Sequence, residues 1–163
     1  MIEPLEVMAN VPMLMKGYGR LEQAVAKMDH LDKRYRALAE LKAATMTGCE
    51  YCIDLGSTVA RRWGLTEEEL LGLARHREAS CFSPVDRLVL DYATGMSRAP
   101  VNVPDNLFAG LREHFTTEQL VEMTFVIAVE NLRGRFNLAL DIGAAGFSEG
   151  MVCAVPASEG SAG

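Results

Sequence analysis

The sequence contains few histidines and few cysteines, and neither set forms a metal-binding motif. The three histidines are His30, His76 and His114, so no pair stands at the spacing of zinc ligands. Two of the four cysteines, Cys81 and Cys153, stand alone. A structural zinc site usually needs four nitrogen or sulfur ligands. The sequence therefore predicts no bound metal.

Long apolar runs and an excess of basic residues are also missing. No uninterrupted apolar segment approaches the roughly 20 residues that a membrane span needs, and the first residues lack the basic and apolar regions of a signal peptide. The net charge of −6 disfavours nucleic acid and anionic membranes as partners. We therefore expect a cytoplasmic protein whose thiols are kept reduced.

What the sequence does contain is helical periodicity, without the alternating pattern of strands. Capping boxes at Thr66 and Thr116 mark two helix starts. We predict an all-α bundle of about six or seven helices, in one domain over residues 1–156, with a disordered tail over residues 157–163. The helical segments are 14–28, 33–46, 49–63, 67–75, 85–98, 105–114 and 118–140. They carry more apolar surface than one small bundle easily buries, so we expect a homo-oligomer.

The most informative motif is GCEYC, residues 48–52, at the predicted start of a helix. Unpaired N–H groups and the helix dipole stabilise a thiolate there, which by itself favours Cys49 as the more acidic thiol. A second thiol one turn away, Cys52, could form a disulfide with it. Zinc binding, or plain burial of two small apolar side chains, is the alternative use of this pair. Asp54 points to another side of the helix and is expected to pair with a basic group.

A second candidate group lies in the apolar segment FVIAVENLRGRF, where a charge is costly unless it is paired or functional. Glu130 and Asn137 fall on one helical stripe, and Asn131 and Arg135 fall on the next. We predict Glu130 as a catalytic base, with Asn131, Arg135 and Asn137 binding substrate. The alternative is a structural ion pair between Glu130 and either Arg133 or Arg135.

Two segments carry a family resemblance. RALAELKAATMTGCEYCIDLGSTVARRWGL resembles the signature helix pair of the alkylhydroperoxidase D-like, or carboxymuconolactone decarboxylase, superfamily, and AVENLRGRFNLALDIGAAGFSEGMVC resembles the C-terminal portion of one branch. The resemblance implies an all-α fold in trimers, hexamers or related homo-oligomers. It also implies reduction of a small-molecule hydroperoxide, with Cys52 attacking, Cys49 resolving and an external dithiol reductant, protein or small molecule. No organic cofactor is implied.

The chain departs from the redox branch at two positions. That branch has a glutamate twelve residues before the first cysteine and a histidine four residues after the second, which form a proton relay. Here these positions are Ala37 and Gly56. Glu130 is the candidate to replace the relay if its helix packs over the cysteines. Two other functions stay open: a lyase that uses Glu130 and Arg135 on a small carboxylated lactone or related acid, and a non-enzymatic redox-sensing or binding oligomer.

Overall fold

Helices make up all of the regular structure in the computed structural model, which describes residues 3–157. This confirms the all-α prediction. Across the described residues there are eight α-helices, with a 3₁₀ turn, Leu73–Arg75, directly after α5. They are α1 Glu3–Ala9, α2 Pro12–Ala26, α3 Lys33–Thr47, α4 Glu50–Arg62, α5 Glu67–Gly72, α6 Pro84–Ser97, α7 Asp105–His114 and α8 Thr117–Ala139.

The seven predicted segments all correspond to helices. The side chains of Thr66 and Thr116 accept hydrogen bonds in full capping boxes. Helix α1 was not predicted, since its two turns are too short to show periodicity, and the fold therefore has more than six or seven helices. It buries Pro4 and Met8. Of the predicted disordered tail, residues 158–163 lie outside the described residues.

Helix α3 occupies the centre of the bundle and packs against α4, α6 and α8. Its alanines Ala37, Ala39, Ala43 and Ala44 are buried, as are its leucines. Small side chains let neighbouring helices approach closely on several sides. Because α3 is buried on several sides, its apolar residues are not confined to one face and it has little amphipathic character. The candidate active site lies on one of its faces.

Two glycines bring α3, α4 and α8 together near the cysteines. Gly48 ends α3 in the left-handed conformation with φ 72°, so α4 can start directly after the turn. Gly134 lies where α8 meets that turn, and a Cβ there would be 2.6 Å from Oγ1 of Thr47. The close approach brings Asn137, one turn further along α8, to the start of α4.

The segment after α8, residues 140–157, lies against α4 and contains no helix or strand. Asp54 accepts hydrogen bonds from the backbone N–H groups of Ala145, Phe147 and Ser148 at 2.7–3.1 Å. Burial raises the pKa of Asp54, but these bonds outweigh it and hold the pKa below its ordinary value. The expectation of a basic partner for Asp54 was therefore wrong. No helix within residues 3–157 has the length and apolar character to cross a membrane.

Candidate active site

The two cysteines of the motif occupy the start of α4. Cys49 is the N-cap residue, and its sulfur accepts a hydrogen bond from the backbone N–H of Cys52 at 3.2 Å. The two sulfurs form a disulfide, with Cα atoms 5.3 Å apart. Both side chains are buried, Cys52 being 7% exposed and Cys49 1% exposed. The helix terminus supplies N–H groups and positive dipole, which favour a thiolate after reduction.

Asn137 connects α8 to this pair. Its Nδ2 atom lies 3.6 Å from the sulfur of Cys49 and 3.6 Å from that of Cys52, within reach of a weak N–H···S hydrogen bond to either. The Asn137 side chain is itself buried. A hydrogen-bond donor beside a sulfur stabilises negative charge on it. Asn137 was predicted as a substrate-binding residue, and the structure places its amide against the reactive atoms.

A cavity of about 390 Å³ lies beside Cys52. Its walls come from α1, α2, α3, α4 and α8, and most of its surface is apolar. Among the described residues Cys52 lines the cavity and Cys49 does not. The apolar lining includes Met8, Val25, Leu41, Leu55, Val59 and Trp63.

The two positions that lack the family relay both line this cavity. Ala37 on α3 and Gly56 on α4 contribute to its wall. Neither side chain can carry a proton. Gly56 packs closely, since a Cβ there would be 3.1 Å from Cδ1 of Leu41. Any proton transfer in this cavity must therefore use other groups.

Three carboxyls and two guanidiniums line the cavity, and of these the carboxyls can exchange protons: Glu22, Glu40 and Glu130, beside Arg36 and Arg133. All three guanidinium nitrogens of Arg133 donate hydrogen bonds. Nε and Nη2 donate to the Glu22 carboxylate at 2.9 and 2.6 Å, and Nη1 donates to Glu130 at 2.9 Å. Arg36 pairs with Glu40 at 3.3 Å. The ion pair between Glu130 and Arg133 is one of the two partners expected from the sequence.

The carboxyl groups have different proton affinities. Glu130 is 6% exposed, and burial raises its pKa to about 7, although the charge and hydrogen bond of Arg133 oppose the shift. Burial also raises the pKa of Glu40. For Glu22 the hydrogen bonds from Arg133 and Tyr18 outweigh burial, and the pKa is lowered. Glu130 can therefore take up and release a proton near neutral pH.

The structure brings Cys52, Glu130 and Asn137 to one cavity and places the other two predicted substrate-binding residues elsewhere. Asn131 is buried and donates to Oγ of Ser97 on α6 at 2.9 Å. Arg135 is exposed and is not among the residues that line the cavity. Helical geometry explains the difference, because i, i+3 and i+7 fall on one side of a helix and i+5 does not.

Three groups of the site were missed by the sequence reasoning. Glu40 lies one helical turn after Ala37 on α3. A carboxyl within this alanine-rich segment was the sequence feature that could have identified it. Glu22 lies on α2, and nothing in the sequence connects it to α8. Tyr51 stands between the two cysteines and also lines the cavity. Its ring packs edge-to-face on Phe147 with centroids 5.6 Å apart.

One group of possible metal ligands occurs among the described residues. Asp29, His30 and Glu122 lie close enough to share an ion. However, Glu122 already accepts hydrogen bonds from His30 and from the backbone N–H of Leu31, both at 2.8 Å. These residues do not line the cavity, and they take no part in the chemistry considered below.

Comparison with known proteins agrees with this architecture. The sequence profile of the Carboxymuconolactone decarboxylase family matches residues 12–95. The uncharacterized protein YnjA of Escherichia coli (strain K12) is 39% identical over 131 residues, which is 80% of this chain and 69% of YnjA. The uncharacterized protein YdfG of Bacillus subtilis (strain 168) is 30% identical over 115 residues, which is 70% of this chain and 78% of YdfG.

Solved structures show the same fold. The debrominase Bmp8 superposes with a TM-score of 0.80 at 19% identity, covering 90% of this chain and 79% of Bmp8. A second solved structure is that of a protein of unknown function from Agrobacterium tumefaciens, suggested to be the antioxidant defence protein AhpD. It superposes with a TM-score of 0.72 at 26% identity, covering 85% of this chain and 94% of the Agrobacterium chain. The chain belongs to the carboxymuconolactone decarboxylase family and, with its CxxC pair, to the AhpD-like superfamily.

Proposed function

We propose that this protein is a thiol-dependent oxidoreductase that reduces organic hydroperoxides. One observation carries the proposal: Cys52, half of a disulfide at a helix start, lines a largely apolar cavity that also holds the buried carboxyl of Glu130. The thiol supplies the nucleophile, the apolar walls accommodate the organic part of the substrate, and the carboxyl supplies a proton.

In the proposed cycle the Cys52 thiolate attacks the outer oxygen of the hydroperoxide. The O–O bond breaks, the sulfur becomes a sulfenic acid, and the alkoxide leaves as an alcohol after taking one proton. The Cys49 thiol then displaces water from the sulfenic acid, which forms the Cys49–Cys52 disulfide. An external dithiol, itself oxidised to a disulfide, restores both thiols.

The assignment of Cys52 as the attacking thiol is supported by its access to the cavity. Cys49 accepts the N–H of Cys52 as the helix N-cap and is the more deeply buried of the two. Asn137 reaches both sulfurs, so it can stabilise the thiolate at Cys52 and then the negative charge at Cys49. The helix dipole makes the Cys49 thiol more acidic, but attack on a substrate also requires contact with it, which Cys52 has through the cavity.

Glu130 acts at some distance from the sulfur. It lies seven residues before Asn137 on α8, which corresponds to about 10 Å along the helix axis. Its proton therefore reaches the reacting oxygens either by direct contact of the carboxyl with the substrate or through water in the cavity. A pKa of about 7 suits this role, because the group can be reprotonated after each turnover at neutral pH.

The lyase alternative receives less support from the same cavity. A carboxylated lactone needs an unpaired cation, and Arg135 was the expected anchor. Arg135 is exposed, while the two arginines that line the cavity, Arg36 and Arg133, each pair with carboxylates. An added carboxylate would meet three glutamate side chains with no uncommitted guanidinium to offset them.

We also propose that the protein assembles as a homo-oligomer. Helix α8 exposes Val121, Phe125 and Leu132, which repeat at helical spacing on one side. Exposed apolar stripes of this kind are typical of contacts between subunits. Light scattering coupled to size-exclusion chromatography tests this, and a monomer at micromolar concentration would contradict it.

The peroxidase proposal is tested with fully reduced protein and one equivalent of cumene hydroperoxide. Samples are quenched over time with an alkylating reagent, and the thiols are mapped by mass spectrometry. We expect a Cys49–Cys52 disulfide that forms much faster than a free cysteine is oxidised at the same pH. Cys52→Ser should abolish the reaction, and the double variant Cys81→Ser and Cys153→Ser is the matched control that should retain it.

Two other results would point elsewhere. Thiols that stay reduced would refute the peroxidase cycle. A disulfide that forms but is never reduced by added dithiols, so that no turnover follows, would favour the redox-sensing alternative.

A further inference from the structure

Arg133 is shared unequally between two carboxyls of the cavity. Its Nε and Nη2 atoms donate to the two oxygens of Glu22 at 2.9 and 2.6 Å, whereas Nη1 alone donates to Glu130 at 2.9 Å. A guanidinium that donates to both oxygens of one carboxylate forms its strongest type of ion pair. Glu22 therefore forms the stronger of the two ion pairs with Arg133.

The surroundings of the two carboxyls favour the same division. The Glu22 side chain is 34% exposed, whereas that of Glu130 is 8% exposed. A carboxylate that keeps part of its water is less costly to ionise than a buried one. Burial raises the pKa of both groups, and hydrogen bonds from Arg133 and Tyr18 outweigh burial at Glu22 only. The negative charge therefore settles on Glu22 and the proton on Glu130.

Among the described residues, the second guanidinium of the cavity is already committed. Arg36 on α3 donates to Glu40 at 3.3 Å and to the backbone oxygen of Val25 at 3.0 Å. Helix α1 lines the cavity with apolar side chains, and the ionisable side chains from α4 are Tyr51 and the disulfide-bonded Cys52. The other ionisable groups that line the cavity with Glu130 come from α2, α3 and α8, and they are Tyr18, Glu22, Arg36, Glu40 and Arg133.

We propose that Glu22 is a positioning residue for Glu130. By holding two of the three donor atoms of Arg133, Glu22 weakens the ion pair between Arg133 and Glu130 and so keeps a proton on that buried carboxyl at neutral pH. The use of this proton to reduce a hydroperoxide rests on the proposed function. The control of Glu130 by Glu22 rests on the ion-pair geometry and on the burial of the two carboxyls.

Glu22→Gln tests this control. The amide keeps the size of the side chain without its charge, so Arg133 no longer divides its charge between two carboxylates. Glu130 should then release its proton more readily, because its pair with Arg133 strengthens and the repulsion from Glu22 is gone. The measurement is an NMR titration of isotope-labelled glutamate carboxyls in the oxidised protein, where the Glu130 signal is the one missing from Glu130→Gln. We expect a Glu130 midpoint of about 7 in the unmodified protein and at least about one pH unit lower in Glu22→Gln.

Two further variants separate this route from other effects of lost charge. Glu122→Gln removes another buried carboxyl of α8, about two turns from Glu130 and outside the cavity, and should leave the Glu130 midpoint unchanged. In an Arg133→Gln background, adding Glu22→Gln should shift the midpoint less than half as far as it does when Arg133 is present. An unchanged or higher midpoint in Glu22→Gln, an equal shift in Glu122→Gln, or an equal shift without Arg133 would each overturn the inference.

The pH dependence of the reaction gives a second measurement. Disulfide formation with cumene hydroperoxide is timed for the unmodified protein and for Glu22→Gln, and the ratio of the two rates at each pH cancels the ionisation of Cys52. This ratio should fall about tenfold between pH 5 and pH 8, because Glu130 loses its proton at a lower pH in the variant. A loss of rate that is the same at every pH would show a purely structural role for Glu22 and would count against the inference.

Failure of the proposed function gives a different pattern. If the Glu130 midpoint falls in Glu22→Gln while the cysteines stay reduced with peroxide, the peroxidase reaction is wrong and the control of Glu130 by Glu22 stands. If the disulfide forms rapidly and the Glu130 midpoint does not move in Glu22→Gln, the reaction stands and the role of Glu22 is wrong.

Discussion

Replacing Glu130 by glutamine decides whether this buried carboxyl is an ion-pair partner or a proton-carrying group. Burial raises its pKa from the ordinary value of 4.5 to about 7 in the folded protein. Between these values the folded state holds a proton that the unfolded state has released. Folding stability must then fall as the pH rises through this window. An interval of about 2.5 pH units corresponds to a loss of about 3 kcal/mol.

Glutamine has the shape of the protonated carboxyl and cannot ionise. Glu130→Gln should therefore match the unmodified protein at about pH 4, below the ordinary pKa, where both the folded and the unfolded state hold the proton, and exceed its stability by up to about 3 kcal/mol at pH 8. The assay is urea unfolding followed by far-UV circular dichroism at several pH values across this range. Oxidation by hydroperoxide should slow in the same variant, because stability gained at an active-site charge is commonly lost as activity.

Glu122→Gln is the matched control on the same helix. Burial raises the pKa of Glu122, but hydrogen bonds from His30 and Leu31 outweigh it and lower the pKa. Glu122 therefore stabilises the fold at neutral pH, and its replacement should destabilise the protein there. If Glu130→Gln instead lost the same stability at every pH, the Glu130 carboxylate would be ionised throughout, and its pair with Arg133 would be structural.

Three further changes test how the site is held in place. Asp54→Asn should cost about 2–3 kcal/mol in urea unfolding at neutral pH, a loss that fades in acid as the lowered pKa of Asp54 is crossed. Asn137→Ala should slow alkylation of the reduced pair about tenfold, with an unchanged rate refuting thiolate stabilisation by the amide. Gly134→Ala, with a Cβ 2.6 Å from Oγ1 of Thr47, should cost about 1–3 kcal/mol in thermal unfolding, whereas Gly17→Ala, in open space, should be neutral or stabilising.

The sequence was a good guide to elements that carry their own local signals. Capping residues and periodicity marked the helices, and Glu130 and Asn137 were identified because polar side chains interrupt an apolar segment. Helix α1 gave no such signal because it is only two turns long. It packs against α2 and contributes to the wall of the cavity.

Groups that depend on the arrangement of several helices were not identifiable. Glu22 reaches Arg133 across 111 positions of sequence, and nothing local predicts that contact. The sequence offered Arg133 and Arg135 as equal partners for Glu130, although helical spacing alone favours Arg133 at i+3. The sequence also cannot tell whether a buried amide binds a substrate or joins two helices. Asn131 was predicted to bind substrate, but it joins α8 to α6.

The position of the proton donor in the cavity can be tested by moving the carboxyl from Glu130 to Ala37, where the family relay has its glutamate. Ala37 lines the same cavity as Glu130, on α3, which packs against both α4 and α8. Adding Ala37→Glu to Glu130→Gln keeps three carboxyls in the cavity but moves one to the family position. If the cavity needs only a protonatable group in contact with the substrate, this double variant should oxidise with hydroperoxide at least about tenfold faster than Glu130→Gln alone. If it folds and gives no rescue, the donor must stand beside Arg133, and position within the cavity matters more than the presence of a carboxyl.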